Sequence, residues 1–370
     1  MLKAGIFWKS SKKNEKRIPI HPSMFSSIDT ELRSHIVFES GYGKDSGLSD
    51  NFFFQNFGGA MSRRQLFEST DLWILPKPTT ADAEHFSEGK ILWGWPHCIE
   101  SYEITQAFVE KKMTAIAWES MRDGHANLNV FQKNNEIAGY AAVQHMMMSV
   151  GKTGYYGDKM SAAVIGFGST GRGATIALKS LGITEIDIFT RRPAAFIDAP
   201  IPESNIGKIT TRSNRAEFTI RKKTRKPSET LGAYNIVVNC FQQNPLEPIL
   251  FVDSGDVRDL VNVTDIVDVS ADPGMGFCFA KYTTIDRPVV KISNTAINYY
   301  AVDHTPTLYA EAASIEISKI VLEYIPDIML GRWRLIPVLA KAADIDNGNI
   351  LNTAIIKFQG RSDAYPYAAN

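Results

Sequence analysis

The sequence predicts an α/β protein built from two domains with mainly parallel sheets. Three observations lead there. The chain has 370 residues, more than a single hydrophobic core usually holds. In its first third, short apolar runs bounded by Pro and Gly alternate with amphipathic or polar stretches, as in a parallel sheet covered by helices. Farther on, "MSAAVIGFGSTGRGATIALKSLGITEIDIFTRRP" reads as strand, glycine-rich turn, helix and strand.

The elements follow in order. "KAGIFW" reads as a strand and "FESGYGKDSGLSD" as a glycine-rich loop. "DLWILPKP" and "KILWGWPH" are buried strands, with the polar "TTADAEHFSEG" between them as a short helix or loop. "IESYEITQAFVEKK" is an amphipathic helix with Ile104, Phe108 and Val109 on one side, and "TAIAWES" is another strand. His97 therefore sits where a strand ends and a helix is about to begin. Open α/β sheets bind ligands at that edge; taken alone, the residue reads more readily as a histidine that satisfies a backbone group in a turn.

"NNEIAGYAAVQHMMMSVGK" is apolar on nearly every face and reads as a long buried helix leading into the second domain. "YNIVVNCFQ", "VTDIVDVSADPG" and "PVVKIS" supply further strands. "TPTLYAEAASIEISKIVLEYI" returns to helix and packs back on the first domain. That domain is then discontinuous, residues 1–134 with 300–370, around a second domain of residues 135–299. The polar, basic stretch 208–226 reads as a solvated surface insertion, or as a basic lip near an anionic ligand.

Lys plus Arg number 40, as do Asp plus Glu, which gives no support for nucleic-acid or membrane-surface partners. Apolar content of 44% and charged content of 22% are ordinary for a globular protein. No signal peptide and no apolar stretch long enough for a membrane span are visible. Cys98, Cys240 and Cys278 lie far apart, without metal-ligand spacing and without an even disulfide set. The expectation is a cytoplasmic protein with no metal site.

"VIGFGSTGRGA" places Gly166, Gly168 and Gly171 in a G-x-G-x-x-G pattern, with Ser169 and Thr170 inside it. The first glycine permits the tight turn, the second lets the backbone approach a pyrophosphate, and the third allows close helix–strand packing. The strand–turn–helix–strand context makes this a dinucleotide site of the Rossmann type. The next strand ends with Thr190, Arg191 and Arg192 rather than the carboxylate that would bind the ribose hydroxyls of NAD. Arginine there suits a 2′-phosphate, so NADP(H) is favoured and NAD(H) remains an alternative; the arginines could also simply face solvent.

With His97 and this turn in hand, the chain resembles the alanine dehydrogenase superfamily. More narrowly, it looks like carboxyethylornithine synthase and the lysine-forming saccharopine dehydrogenase. The matches are "NEKRIPIHP", "ILPKP", "GWPH", "NEIAGYAAV", "IGFGSTGRGA", "IVDVSADPG" and "VDHTPTLYAEAAS", in that order, to about residue 325. The resemblance implies two Rossmann-like domains with parallel sheets and an active site in the cleft between them. Residues 1–134 and 300–370 would form the substrate domain, and residues 135–299 the dinucleotide-binding domain. It also implies that Arg17 holds the carboxylate of an oxo acid, that Lys77 and His97 lie at the catalytic centre, and that Asp272 lies near the nicotinamide. Relatives have an arginine five residues after the proline of the "TP" element, where this chain has Glu311. "DHTP" looks more like saccharopine dehydrogenase, and the Arg191–Arg192 pair more like carboxyethylornithine synthase, so the substrate pair stays open.

The implied reaction joins a 2-oxo acid to an amino group of an amino acid and reduces the imine, or runs in reverse. Lys77 and His97 would be its acid–base pair. Histidine starts near ~6.5, and a lysine that is desolvated or crowded by cations falls toward neutrality. The partners are then small molecules; the oligomeric state is not set by the sequence. The alternatives are an alanine-dehydrogenase-like deamination and a nucleotide-binding sensor that has lost the chemistry.

Overall fold

The computed structural model describes residues 1–124, 127–197, 199–212, 215–244, 246–271 and 274–368. Its contacts divide the chain into two compact units, Met1–Gln132 with Ala310–Asn370, and Lys133–Tyr309.

The first unit opens with β1 (Ala4–Ile6), β2 (Ile36–Glu39), β3 (Ala60–Met61), β4 (Leu72–Ile74), β5 (Ile91–Gly94) and β6 (Thr114–Ala117). All neighbours among these six pair in parallel, in the spatial order β6-β5-β4-β1-β2-β3. That is the doubly wound order, in which the sheet reverses direction of growth between its first and fourth strands. The segments AGI, LWI and TAIA are buried throughout, as expected of strands covered on both faces. β2 is the apolar run Ile36–Phe38 with Glu39, so Phe38 and Glu39 belong to a strand and not to the glycine-rich loop, and β3 is a two-residue strand with no pattern of its own.

The second unit contains β7 (Ser161–Ile165), β8 (Glu185–Thr190), β9 (Ser204–Arg212), β10 (Arg215–Ile220), β11 (Lys223–Arg225), β12 (Ile236–Asn239), β13 (Leu250–Val252), β14 (Asp265–Asp268), β15 (Gly276–Phe277), β16 (Val289–Lys291) and β17 (Asn298–Tyr300). Its main sheet runs β11-β10-β9-β8-β7-β12-β14-β17-β16. The six strands from β9 to β17 are parallel and repeat the order of the first unit, with the reversal between β7 and β12. β13 and β15 form a separate parallel pair.

The chain re-enters the first unit through the helix Ala310–Met329, whose Ile317, Val321, Ile325, Ile328 and Met329 join the core beneath that sheet. β18 (Ala343–Asp346) and β19 (Asn349–Ile350) then extend the sheet beyond β6 in antiparallel sense. The sheets are therefore parallel at their centres and mixed at their edges. The return to the first unit falls at Ala310 rather than at 300, because β17 pairs with β14 and the Thr305 hydroxyl donates to the Ala138 carbonyl at 2.8 Å.

The helix Gln132–Ser149 is less enclosed than its composition suggests: Val143, Met146 and Met147 are buried, but Met148 is 76% exposed. The described residues of the basic stretch 208–226 are largely strand, with its cations exposed. β9, β10 and β11 form an antiparallel extension of the sheet, anchored by buried Ile209, Ala216 and Phe218. Among the described residues, no helix is long and apolar enough to cross a membrane.

Candidate active site

In a parallel sheet all strands deliver their following loops to one edge. In the first unit, the segments after β1, β4, β5 and β6 carry Glu15 and Arg17, Lys77, His97, and Glu119 respectively. The first two flank the point where strand order reverses, the place where open sheets bind ligands.

Glu15 and Arg17 form a buried pair, with side chains 0% and 3% exposed. Arg17 Nε donates to Glu15 Oε1 at 2.8 Å and Nη2 to Oε2 at 2.5 Å, and the Arg17 backbone N–H adds a 3.1 Å bond to Oε1. Burial by itself would raise the Glu15 pKa. The charge and hydrogen bonds of Arg17, with the charge of Lys77, outweigh burial and hold it at about 2. The Arg17 guanidinium also lies over the Trp95 ring, 4.8 Å from its centroid. The edge of the guanidinium formed by Nε and Nη2 is thus committed to Glu15.

The loops carrying Lys77 and His97 are knitted together. Pro76 accepts a 2.7 Å bond from the Trp95 N–H. Gly94 permits this: a Cβ built there would lie 1.9 Å from the Leu75 carbonyl oxygen. Ser10 donates to the Lys77 carbonyl at 2.5 Å, and Asp82 caps the following turn while accepting from Arg63 at 2.7 Å.

His97 adopts a left-handed backbone, φ 49°, unusual for a residue with a side chain. Its N–H donates to Glu119 Oε1 at 2.8 Å, and its carbonyl accepts from Glu100 and Ser101, which starts the helix Tyr102–Glu110. The imidazole is 47% exposed, with Nδ1 3.9 Å from Glu119 Oε1. Glu119 is the residue that the sequence reading missed; its signal was an acidic side chain directly after the apolar strand "TAIAW". Although 29% of its side chain meets solvent, Oε2 is enclosed and has no hydrogen-bond partner among the described residues. Burial, reinforced by the charge of Asp344, raises its pKa to about 8. Asp344 is itself buried and raised, with Ser120 and Asn352 donating to its Oδ1 at 3.1 and 2.9 Å. The arrangement can hold a proton near neutral pH beside an exposed imidazole.

In the second unit, β7 runs into Gly166, and the helix Ser169–Ser180 starts after Gly168. Gly166 has φ +93°, and a Cβ there would lie 2.6 Å from the Cys240 carbonyl oxygen after β12. A Cβ on Gly171 would lie 2.1 Å from the Gly166 carbonyl oxygen, whereas one on Gly168 would meet nothing within 4 Å. Ser169 and Thr170 form the first turn, and no side chain caps the helix. Open backbone N–H groups at an uncrowded glycine fit a dinucleotide pyrophosphate. His304, after β17, adds a buried Nε2 with no partner among the described residues, its Nδ1 lying 2.6 Å from Asp303.

Thr190 is buried at the end of β8, and Arg191 and Arg192 are exposed. The Arg191 guanidinium lies 4.5 Å from the centroid of Phe241, and Arg192 donates to the Phe167 carbonyl inside the glycine turn. Asp272 lies outside the described residues. The loop leading to it is held by Asp268, which accepts from the Ala271 N–H at 2.9 Å and from Asn239 at 2.9 Å. Among the described residues, no group of three or more His, Cys, Asp or Glu could hold a metal ion. Glu311 stands exposed in the first turn of the helix Ala310–Met329.

Residues 8–138 match the family model for the alanine dehydrogenase/PNT N-terminal domain, and residues 136–353 the alanine dehydrogenase/PNT C-terminal domain. An alanine dehydrogenase of Methanococcus maripaludis is 24% identical, with 94% of both chains covered. An N(5)-(carboxyethyl)ornithine synthase of Clostridium botulinum is also 24% identical, covering 83% of this chain and 88% of its own. Among solved structures, an L-alanine dehydrogenase superposes with a TM-score of 0.74 at 17% identity, covering 96% of this chain and 98% of its own. A transhydrogenase from Sinorhizobium meliloti superposes with a TM-score of 0.68 at 16% identity, covering 95% and 99%. These superpositions show a shared fold.

The opposite pKa shifts of Glu15 and Glu119 give stability two pH dependences. A free glutamate titrates near 4.5, so Glu15, at about 2, contributes stability present above 4.5 and lost as pH falls toward 2. Glu119, at about 8, keeps its proton longer in the folded state, so stability falls as pH rises between 4.5 and 8. Thermal melting should show a smaller loss between about pH 5 and pH 9 in Glu119→Gln than in the wild type, by a few degrees. Parallel curves for the two proteins would mean that Glu119 is not held protonated.

Proposed function

The chain belongs to the alanine dehydrogenase/PNT family, and we propose that it catalyses the NAD(P)H-dependent reductive condensation of a 2-oxo acid with an amino group of an amino acid, or the reverse oxidation. It is an oxidoreductase of amino-acid metabolism that acts at a carbon–nitrogen centre with a nicotinamide cofactor. The observation that carries the finer reading is the buried Glu15–Arg17 pair beside Lys77 at the reversal point of the first sheet. A site for an anionic oxo acid needs a fixed guanidinium, and imine formation needs a nearby amine or imidazole that moves protons.

In this reading the unit Met1–Gln132 with Ala310–Asn370 is the substrate domain, and Lys133–Tyr309 is the dinucleotide-binding domain. Arg17 holds the oxo-acid carboxylate. The substrate amine attacks the keto carbon, and the carbinolamine then loses water to give the imine. Lys77 and His97 take the proton from the attacking amine and return one to the departing hydroxyl. Glu119 and the left-handed turn at His97 hold the imidazole at the edge of the sheet. When bound, the reduced nicotinamide supplies the hydride that turns imine into secondary amine. Gly166, Gly168, Ser169, Thr170 and Gly171 would seat its pyrophosphate, Thr190, Arg191 and Arg192 would stand at the adenosine ribose, with NADP(H) favoured over NAD(H), and Asp272 is the residue that the family resemblance assigns to the nicotinamide. A second reading, reductive amination with ammonia, is supported by the likeness to an alanine dehydrogenase over nearly the whole chain.

The two readings differ in product. Incubating the protein with pairs of 2-oxo acids and amino acids, and identifying products by mass, should yield a secondary amine. A primary amine formed only with ammonia would replace the first reading by the second, and no turnover with any pair would sink both.

Lys77→Met and His97→Gln should each lower turnover by about a hundredfold or more. Near wild-type turnover in either variant removes that residue from the acid–base pair. Arg17→Lys keeps a counter-charge for Glu15 but loses the planar fork. It should raise KM for the oxo acid by about 10- to 100-fold while leaving that for the cofactor nearly unchanged. Unchanged oxo-acid dependence would make Arg17 a structural partner of Glu15 alone.

A further inference from the structure

We propose that the hairpin β9–β10 is the discriminating lip of the dinucleotide site, with Lys208, Arg212 and Arg215 receiving the 2′-phosphate of NADP(H). The inference rests on the reading of the second unit as a dinucleotide-binding domain.

Strand register carries the argument. β9 lies parallel to β8, pairing Ile186 with Ser204 through to Thr190 with Lys208. β8 ends at Thr190, but β9 runs on to Arg212. At about 3.3 Å per residue, this carries the hairpin roughly 13 Å beyond the end of β8. β10 returns antiparallel, with Arg215 opposite Arg212 and Thr219 opposite Lys208. Arg212 and Arg215 therefore lie beyond the carboxyl edge of the sheet, next to the strand whose end meets the adenosine ribose in this type of fold.

Alternation selects the face. Ile209, Ala216 and Phe218 turn into the core that contains Phe189 and Tyr234. Lys208 and Arg212 point to the other face, the one on which Ile206 and Ile188 pack with Ala174 and Leu178 of the helix that follows the glycine turn. Hairpin cations and pyrophosphate helix thus share one side of the sheet.

The basic residues of this stretch divide by their partners. Arg221 pairs with the buried Asp187 at 3.0 Å and fixes the root of the hairpin. Lys226 pairs with Asp256 and Asp259, each at 2.7 Å. Lys223 and Arg225 lie on the exposed edge strand β11, where charge discourages pairing with another chain. Lys208, Arg212 and Arg215 are exposed and have no carboxylate partner among the described residues. Glu217 is the one acidic side chain among the described residues of β9 and β10. Arg191 and Arg192, one strand away, are engaged with the Phe241 ring and the Phe167 carbonyl. A dianionic phosphate at the end of β8 would meet its least committed cations on the hairpin, and arginine can bind it through two parallel hydrogen bonds.

The test measures binding to the full chain by calorimetry, with 2′,5′-ADP and 5′-AMP as probes, and NADPH and NADH by fluorescence. The wild type should bind 2′,5′-ADP at least about tenfold more tightly than 5′-AMP. The double variant Arg212→Ala, Arg215→Ala, and further the triple variant with Lys208→Ala, should lose most of that margin, with NADH affinity as the reference. Lys222→Ala, Lys223→Ala removes the same charge from the opposite end of the hairpin and should keep the margin. An unchanged margin in the triple variant, or equal losses in the two double variants, would overturn the assignment. Wild type that binds NADH but prefers neither probe overturns the hairpin proposal alone. Wild type that binds neither cofactor overturns the dinucleotide reading as well.

Discussion

A carboxylate with almost no contact with water, Glu15, is the constraint on which the first unit depends. Taking an ion out of water costs several kcal/mol, and the cost is offset only when counter-charge and hydrogen bonds arrive with good geometry. Glu15 meets this condition with two contacts from the Arg17 side chain, one from the Arg17 backbone, and the charge of Lys77. The arrangement works in the other direction too. Two cations placed near one another at a sheet edge would repel, and a carboxylate that both attract lets both stay. Because Lys77 follows β4 and Glu15 follows β1, this balance spans the point where the sheet reverses, and it holds only if those two strands are neighbours.

The same strand order occurs in both units, and each uses its reversal point differently. In the first unit the segments after β1 and β4 present charged side chains. In the second, the segments after β7 and β12 present backbone: Gly166 passes the Cys240 carbonyl so closely that no side chain fits. Parallel pairing explains both outcomes, since it sends every loop to one edge and leaves the space between diverging loops open. The edges of the sheets are where this chain departs from the parallel pattern. β18 brings Asp344 up to the pocket of Glu119, and β9–β10 carries a row of cations past the end of β8.

His97 illustrates how little of a site's character resides in the residue itself. Its N–H is held by Glu119, its backbone is left-handed, and its ring lies half in solvent. Glu119 in turn is tuned by burial and by Asp344, which comes from the far end of the chain. The charge state of Glu119 belongs to a cluster assembled from the segments after β5 and β6 and from β18.

By itself the sequence determined the features whose signals are local. "LWI", "ILWG", "TAIA", "SAAVI" and "IVVN" are strands because continuous apolar runs between Pro and Gly are buried on both faces wherever they end up. The glycine turn is legible because φ +93° at Gly166 and the close approach at Gly171 tolerate no side chain. His97 could be picked out because it directly follows such a run, and Arg17 and Lys77 through the resemblance carried by "NEKRIPIHP" and "ILPKP". Tertiary structure alone decided the rest. β3, β18 and the hairpin β9–β10 have weak or mixed patterns, and they are strands because a neighbour supplies the hydrogen bonds. Glu15 and Glu119 read as ordinary surface acids in "NEKRIP" and "AWES". They become a compensating counter-ion and a proton-holding group only through the pairing of β1 with β4 and of β6 with β5 and β18. The physical reason is range: backbone conformation is set by residues a few positions apart, whereas the charge state of a buried carboxylate is set by whatever the fold brings within a few ångströms of it.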